Sequence, residues 1–254
     1  MTATLPPIAA LPPIAALPMY DWPELTSAHD VFWQKLAEQF RSHGIAAPEF
    51  LTHDTDDQSH WLKPHLLLGQ TCGYPFATAL REKVTYVATP VYDVEGCSGP
   101  YYSSAILVRK NSPLTTDKLA GSRFAFNSKT SLSGYRAIKA LIGEPDEFFS
   151  TLLKTGSHRH SARQVATGNA DVAALDAVCW HFLQKLEPTT AQALKVIGWS
   201  DQQPALPLIT SLNTSDHTLD LMRQVLTSQP PEKPLAINRF DVLNIAEYNR
   251  LSAL

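Results

Sequence analysis

Apolar positions in this chain fall into short continuous runs that alternate with stretches of helical spacing, and that alternation predicts an α/β protein. Leu66-Leu67-Leu68-Gly69 reads as a buried parallel strand with Gln70 and Thr71 emerging at its end. Residues 14–20, 84–89, 104–108, 123–127 and 172–175 have the same look, and residues 49–52 and 204–210 read as further extended segments. Residues 28–43 place Val31, Phe32, Leu36 and Phe40 near helical spacing, with Gly44 as the stop. Residues 147–153, 161–167, 178–186, 216–226 and 241–251 are expected to be helical, and residues 117–121 a short helical link. Strand ends in an open α/β sheet face the ligand crevice. Tyr20, at the exit of the opening strand, Gln70, Thr71 and Asp176 are therefore candidate site residues by position.

The most informative stretch is residues 123–143, a strand, a polar turn and a helix ended by Gly143. Its turn is Thr130-Ser131-Leu132-Ser133-Gly134. A helix N-terminus offers N–H groups with no internal partner and the positive end of the macrodipole, so Ser131 and Ser133, with Gly134 permitting close approach, make an oxyanion cradle. The competing reading is that one of these serines caps its own helix.

Composition removes several function classes. A net charge of -3 and the lack of any lysine–arginine run give no field for nucleic acid. No stretch approaches the roughly 20 apolar residues of a membrane span. Residues 1–10 lack a basic n-region and are broken by prolines, which makes a poor secretory signal. The hexapeptide at residues 5–10 recurs at 11–16, and residues 1–13 are expected to be an extended leader. Of three cysteines, Cys72 and Cys97 sit in loop-like segments and Cys179 in a helical one; a Cys72–Cys97 disulfide and two unpaired thiols both remain open. The His- and Asp-rich residues 53–60 have neither a Ca²⁺-loop nor a zinc spacing and read as a solvated loop.

Four ordered segments carry a family resemblance. Residues 121–126, Ser131-Leu132-Ser133-Gly134-Tyr135, Thr155-Gly156-Ser157-His158 and residues 168–176, ending at Asp176, resemble the phosphate/phosphonate substrate-binding proteins of ABC transporters. The resemblance implies a type II periplasmic-binding-protein fold, two α/β lobes closing on a ligand in the cleft between them. Lobe 1 is expected to comprise residues 14–104 and 204–254, and lobe 2 residues 105–203. It further implies that Ser131, Ser133 and Gly134 meet the oxyanion, that His158 and Asp176 line the same cleft, and that Tyr101 or Tyr102 covers it. Leu132 stands where such binders often carry a hydroxyl.

The expected function is capture of a small oxyanion (phosphate, phosphite, phosphonate or similar) for ABC-type uptake, with a transporter permease as partner, no cofactor or metal, and a monomeric chain. Asp176 would repel a second negative charge or receive an amine, which makes a zwitterionic ligand part of the expectation. The resemblance implies the periplasm, whereas the N-terminal residues suggest a cytoplasmic sensor on the same fold as the alternative. A hydrolase is the rival from another class, with Ser133, His158 and Asp176 drawn as a triad, although no G-x-S-x-G elbow accompanies them. His158-Arg159-His160 as a metal site is disfavoured because Arg159 would repel the ion.

Overall fold

The computed structural model describes residues 11–53 and 58–254. Most of the expected leader, and the centre of the 53–60 loop, lie outside the described residues. Two five-stranded sheets form two lobes. The first runs in the order Ile14–Ala16, Leu66–Gln70, Leu208–Ser211, Val84–Tyr92 and Ile237–Asp241. The second runs Leu194–Trp199, Ser104–Arg109, Val172–Asp176, Arg123–Phe126 and Thr151–Lys154. Between them a small sheet pairs Tyr101–Tyr102 with both Cys97–Ser98 and Gln203–Pro204, so the outgoing and returning crossings of the chain are hydrogen-bonded to each other.

The second sheet is covered on both faces, and its residues alternate accordingly. Ala105, Leu107, Ala125, Ala173 and Leu175 pack with Trp180 and Leu183 on one side. Ile106, Val108, Phe124, Phe126 and Val172 pack with Tyr135, Ile138 and Phe149 on the other. In the first lobe, helix Thr26–Ser42 buries Phe32, Trp33, Leu36, Ala37 and Phe40 against the sheet. That core also takes in Leu132, Val178, Cys179 and Phe182, which belong to elements of the second lobe. The lobes therefore meet along an apolar seam.

Several elements differ from expectation. Residues 147–153 are not one helix. Helix Pro145–Phe148 makes a single turn, and Thr151–Lys154 is an edge strand parallel to Arg123–Phe126, with Leu152 and Leu153 serving opposite faces of the sheet. Residues 241–251 do not form a helix throughout. Ile237–Asp241 pairs with Val84–Tyr92, and only Ala246–Asn249 and the 3-10 turn Arg250–Ala253 are helical. Residues 49–52 form no strand, being held by one bond from Thr52 N–H to the Ala15 carbonyl at 2.8 Å. Residues 117–121 are turns, and the opening strand ends at Ala16 before a 3-10 turn at Pro18–Tyr20. The expected helix at 161–167 starts three residues earlier, as His158–Ala166, because Ser157 caps it by accepting the His160 N–H at 3.1 Å.

Candidate functional site

The polar turn of residues 130–134 leads into a π-helical turn, Leu132–Arg136, which continues as helix Ala137–Ile142. Ser131 Oγ accepts the Gly134 N–H at 3.0 Å, so the capping reading is correct for Ser131. A hydroxyl keeps its own proton to donate, and the two readings are compatible. The Ser133 Oγ lies 2.8 Å from His158 Nε2. His158 is the first residue of its helix, which places the ring opposite the serine turn. Burial pushes His158 down to about 4, the Ala174 carbonyl opposing it only in part, so the imidazole is neutral at pH 7. The direction of the Ser133–His158 bond follows the ring tautomer: with the proton on Nε2 the serine keeps its own to donate, and with the proton on Nδ1 the Nε2 accepts it.

Asn127, at the end of strand Arg123–Phe126, completes this wall. Its Oδ1 accepts the Ser128 N–H at 2.9 Å and its Nδ2 is 3.5 Å from His158 Nε2. Gly134 is required here by space. A Cβ on it would lie 2.0 Å from Asn127 Oδ1 and 3.2 Å from His158 Cε1. Leu132 faces the other lobe, its side chain 3.3 Å from where a Cβ on Gly73 would sit, and its N–H donates to Cys72 Sγ at 3.4 Å. The position that lacks a hydroxyl thus contributes to the seam between the lobes.

Asp176 ends strand Val172–Asp176 and caps helix Ala177–Leu186. Its Oδ1 accepts the N–H groups of Val178 at 2.7 Å and Cys179 at 3.3 Å, and its Oδ2 accepts the Tyr20 hydroxyl at 2.8 Å. Burial pushes its carboxyl up to about 6, against the pull of those three donors. The expectation of a carboxylate awaiting an amine needs correction, since both oxygens are engaged within the protein. The triad is not assembled either: Asp176 bonds Tyr20 and the helix N–H groups of Val178 and Cys179, and not His158.

Tyr20, Ser131, Ser133, His158 and Asp176 line one interlobe cleft of about 400 Å³, together with Asn127, Ser128, Thr130 and Ser157. The first lobe contributes Met19, Trp22, Trp61, Pro75 and Leu206. The other expected site residues lie elsewhere. Gln70 is buried and donates to the Tyr92 hydroxyl at 3.2 Å, because its side chain turns beneath the strand end instead of into the cleft. Thr71 is fully buried, its hydroxyl directed at the Cys72 carbonyl at 3.4 Å. Tyr101 and Tyr102 are held in the small crossing sheet outside the cleft wall, where the buried Tyr102 turns its hydroxyl toward Ser133 from behind. Gly134 stands behind the wall and is not part of its surface.

Sequence reasoning missed Asn127, Ser157, Arg159 and Trp61. Asn127 was accessible to the strand-end rule. Arg159 was not, because its role depends on a distant partner. Its guanidinium makes two bonds to Glu24 of the other lobe, Nη1 to Oε2 at 2.9 Å and Nη2 to Oε1 at 2.6 Å. It also bonds Glu187 and lies 4.7 Å above the Trp22 ring. On the far side of the seam, Arg136 lies 4.3 Å above the Tyr74 ring. Cys72, Cys97 and Cys179 are all free thiols. Among the described residues no three His, Cys, Asp or Glu side chains are grouped to hold a metal.

A family model for the phosphonate periplasmic substrate-binding proteins of ABC transporters matches residues 65–251. This chain belongs to that family. No curated protein matches the chain. Among solved structures, the binding-protein component of an ABC phosphonate transporter from Pseudomonas aeruginosa is 20% identical, with a TM-score of 0.74 over 93% of this chain and 83% of that one. PhnD1 from Prochlorococcus marinus, in complex with methylphosphonate, is 16% identical, with a TM-score of 0.74 over 95% and 96%. A Xanthomonas citri protein bound to ATP is 17% identical, with a TM-score of 0.69 over 95% of each chain. At such identities the likeness speaks for the fold, which is the two-lobed binding-protein fold that the four sequence segments implied. This member of the phosphonate-binding family has, among its described residues, no helix long and apolar enough to cross a membrane.

Proposed function

We propose that this chain captures a phosphonate-type oxyanion between its lobes, residues 14–104 with 204–254 on one side and 105–203 on the other, and delivers it to an ABC-transporter permease. The observation that carries this reading is the convergence of Ser131, Ser133 and His158 at a helix entrance on the wall of the interlobe cleft. Serine hydroxyls at a helix entrance and a neutral imidazole are polar groups suited to a tetrahedral oxyanion, and none has to lose a charge partner first. The methylphosphonate and ATP held by structures of this fold fit a cleft able to accept a phosphorus oxyanion with a variable substituent.

Calorimetric titration of the full chain with inorganic phosphate, phosphite and methylphosphonate tests the proposal. Binding of at least one, weakened tenfold or more by Ser133→Ala, is the expected result. Absence of both heat and thermal stabilisation with every oxyanion would refute it, because a ligand of the native state must raise the melting temperature.

A further inference from the structure

The two walls of the cleft differ in chemistry, and the difference constrains what is attached to the head group. The second-lobe wall carries the neutral donors described above. The first-lobe wall carries Met19, Trp22, Trp61 and Leu206. The Trp61 indole N–H is spent on the Gln70 carbonyl at 3.0 Å, and the residue is buried in the first-lobe core, so it meets the cleft with an apolar edge. Trp22 is held in place by Arg159 above its ring and by Phe182 at 6.2 Å. A cleft of about 400 Å³ falls in the range of roughly 300–1,000 Å³ typical for organic ligands, more than a bare tetrahedral anion fills. Among the described residues, the carboxylates at the cleft already have partners: Asp176 accepts from Tyr20 and two helix N–H groups, and Glu24 is bound at both oxygens to Arg159.

Resting on the reading that the cleft takes a phosphonate-type head, we propose that its preferred ligand bears an aromatic body: an aryl phosphonate or aryl phosphate monoester, with the head on the serine–histidine wall and the ring on the tryptophan–methionine wall. Aminoalkyl phosphonates gain nothing over methylphosphonate, because an ammonium on the tryptophan–methionine wall would be desolvated against aromatic and aliphatic side chains, while the Asp176 carboxylate is already engaged by Tyr20 and two helix N–H groups. The ring would bury apolar area that methylphosphonate lacks.

The test is calorimetric titration of the full chain at pH 7 with methylphosphonate, 2-aminoethylphosphonate and phenylphosphonate. The expected result is phenylphosphonate at least tenfold tighter than methylphosphonate, and 2-aminoethylphosphonate no tighter than methylphosphonate. In Trp22→Ala the phenyl-to-methyl affinity ratio should fall toward one, and Trp22→Phe should restore most of it. Because the readout is a ratio, a general loosening of Arg159 in the variant does not imitate the effect. Methylphosphonate or 2-aminoethylphosphonate binding as tightly as phenylphosphonate, or a ratio unchanged in Trp22→Ala, overturns this inference and leaves the head-group reading standing. Failure of all three to bind overturns both.

Discussion

Replacing Asp176 with asparagine probes the junction between the lobes quantitatively. The carboxyl is 1% exposed, and burial lifts it from 3.8 to about 6. A group whose folded pKa lies above its unfolded value stabilises the fold fully below the unfolded pKa and loses that contribution as pH rises through the folded one. Each unit of pKa is worth about 1.4 kcal/mol, so ionisation of Asp176 costs the native state about 3 kcal/mol between pH 3 and pH 7. Asparagine retains an oxygen for the Val178 and Cys179 N–H groups, presents an N–H₂ to the Tyr20 oxygen, and does not titrate. The stability of Asp176→Asn relative to the parent should therefore rise by about 3 kcal/mol from pH 3 to pH 7. For a chain of this size that is a relative gain in melting temperature of about 6–12 °C. His158, pushed down to about 4, titrates in the same window with the opposite slope, but it is common to both proteins and cancels in the difference. Tyr20 and Cys179, both raised by burial, stay neutral throughout. Thermal or urea unfolding at four pH values measures the difference curve. A flat curve would refute the reasoning, since it would mean a hydrated carboxyl and hence a seam that is open in solution.

Ser133→Ala removes a donor from the wall and leaves His158 Nε2 without its 2.8 Å partner. Hydrogen bonds to charged groups are worth about 1.5–3 kcal/mol, so calorimetry should show an oxyanion affinity reduced by roughly 10- to 100-fold. Gly134→Ala must displace Asn127, with an overpacking cost of about 1–3 kcal/mol readable as a lower melting temperature, accompanied by weaker oxyanion binding. Glu24→Gln cuts the bidentate interlobe pair. Because the Glu24 side chain is 40% exposed the loss is at most about 1 kcal/mol, and small-angle scattering of the ligand-free chain should show a larger radius of gyration, an effect that added salt reproduces in the parent.

The strands were readable because each is a compact apolar run bounded by turn residues, as at 66–70 and 172–176. Residues 147–153 misled because Phe148, Phe149, Leu152 and Leu153 fall at helical spacing, whereas a strand packed on both faces needs no alternation, and the edge beside Arg123–Phe126 decided for strand. Ile237–Asp241 was hidden because only Ile237 and Phe240 of its five residues are buried. At the site, the serine turn, His158 and Asp176 could be placed because each stands at the end or start of an element. The same rule failed for Gln70 and Thr71: it gives the level of a residue along a strand, but packing decides whether the side chain enters the crevice or turns beneath it. Tyr101 and Tyr102 could not be assigned because sequence does not show that the two crossings pair with each other. The Glu24–Arg159 pair spans 135 residues, and nothing local marks either partner.

The charge distribution around the cleft explains how the chain can hold an anion without presenting a free cation. Arg159, the one arginine or lysine of the cleft wall among the described residues, already meets two carboxylates, Glu24 and Glu187, and Glu187 is shared with Arg163. That group closes on itself as two positive and two negative charges, so it draws the lobes together without creating a field that would attract any anion indiscriminately. Attraction for the ligand then falls to oriented neutral donors, whose strength depends on geometry and declines when the lobes separate and water enters. On the proposed function, recognition and closure would be coupled through shared residues. The turn that presents Ser131 and Ser133 also sends Leu132 into the other lobe, and the strand that carries Asp176 to the cleft ties it to Tyr20 across the seam. A ligand that orders the serine turn also strengthens the contacts that hold the lobes together, which is the differential interaction that ligand-driven closure requires.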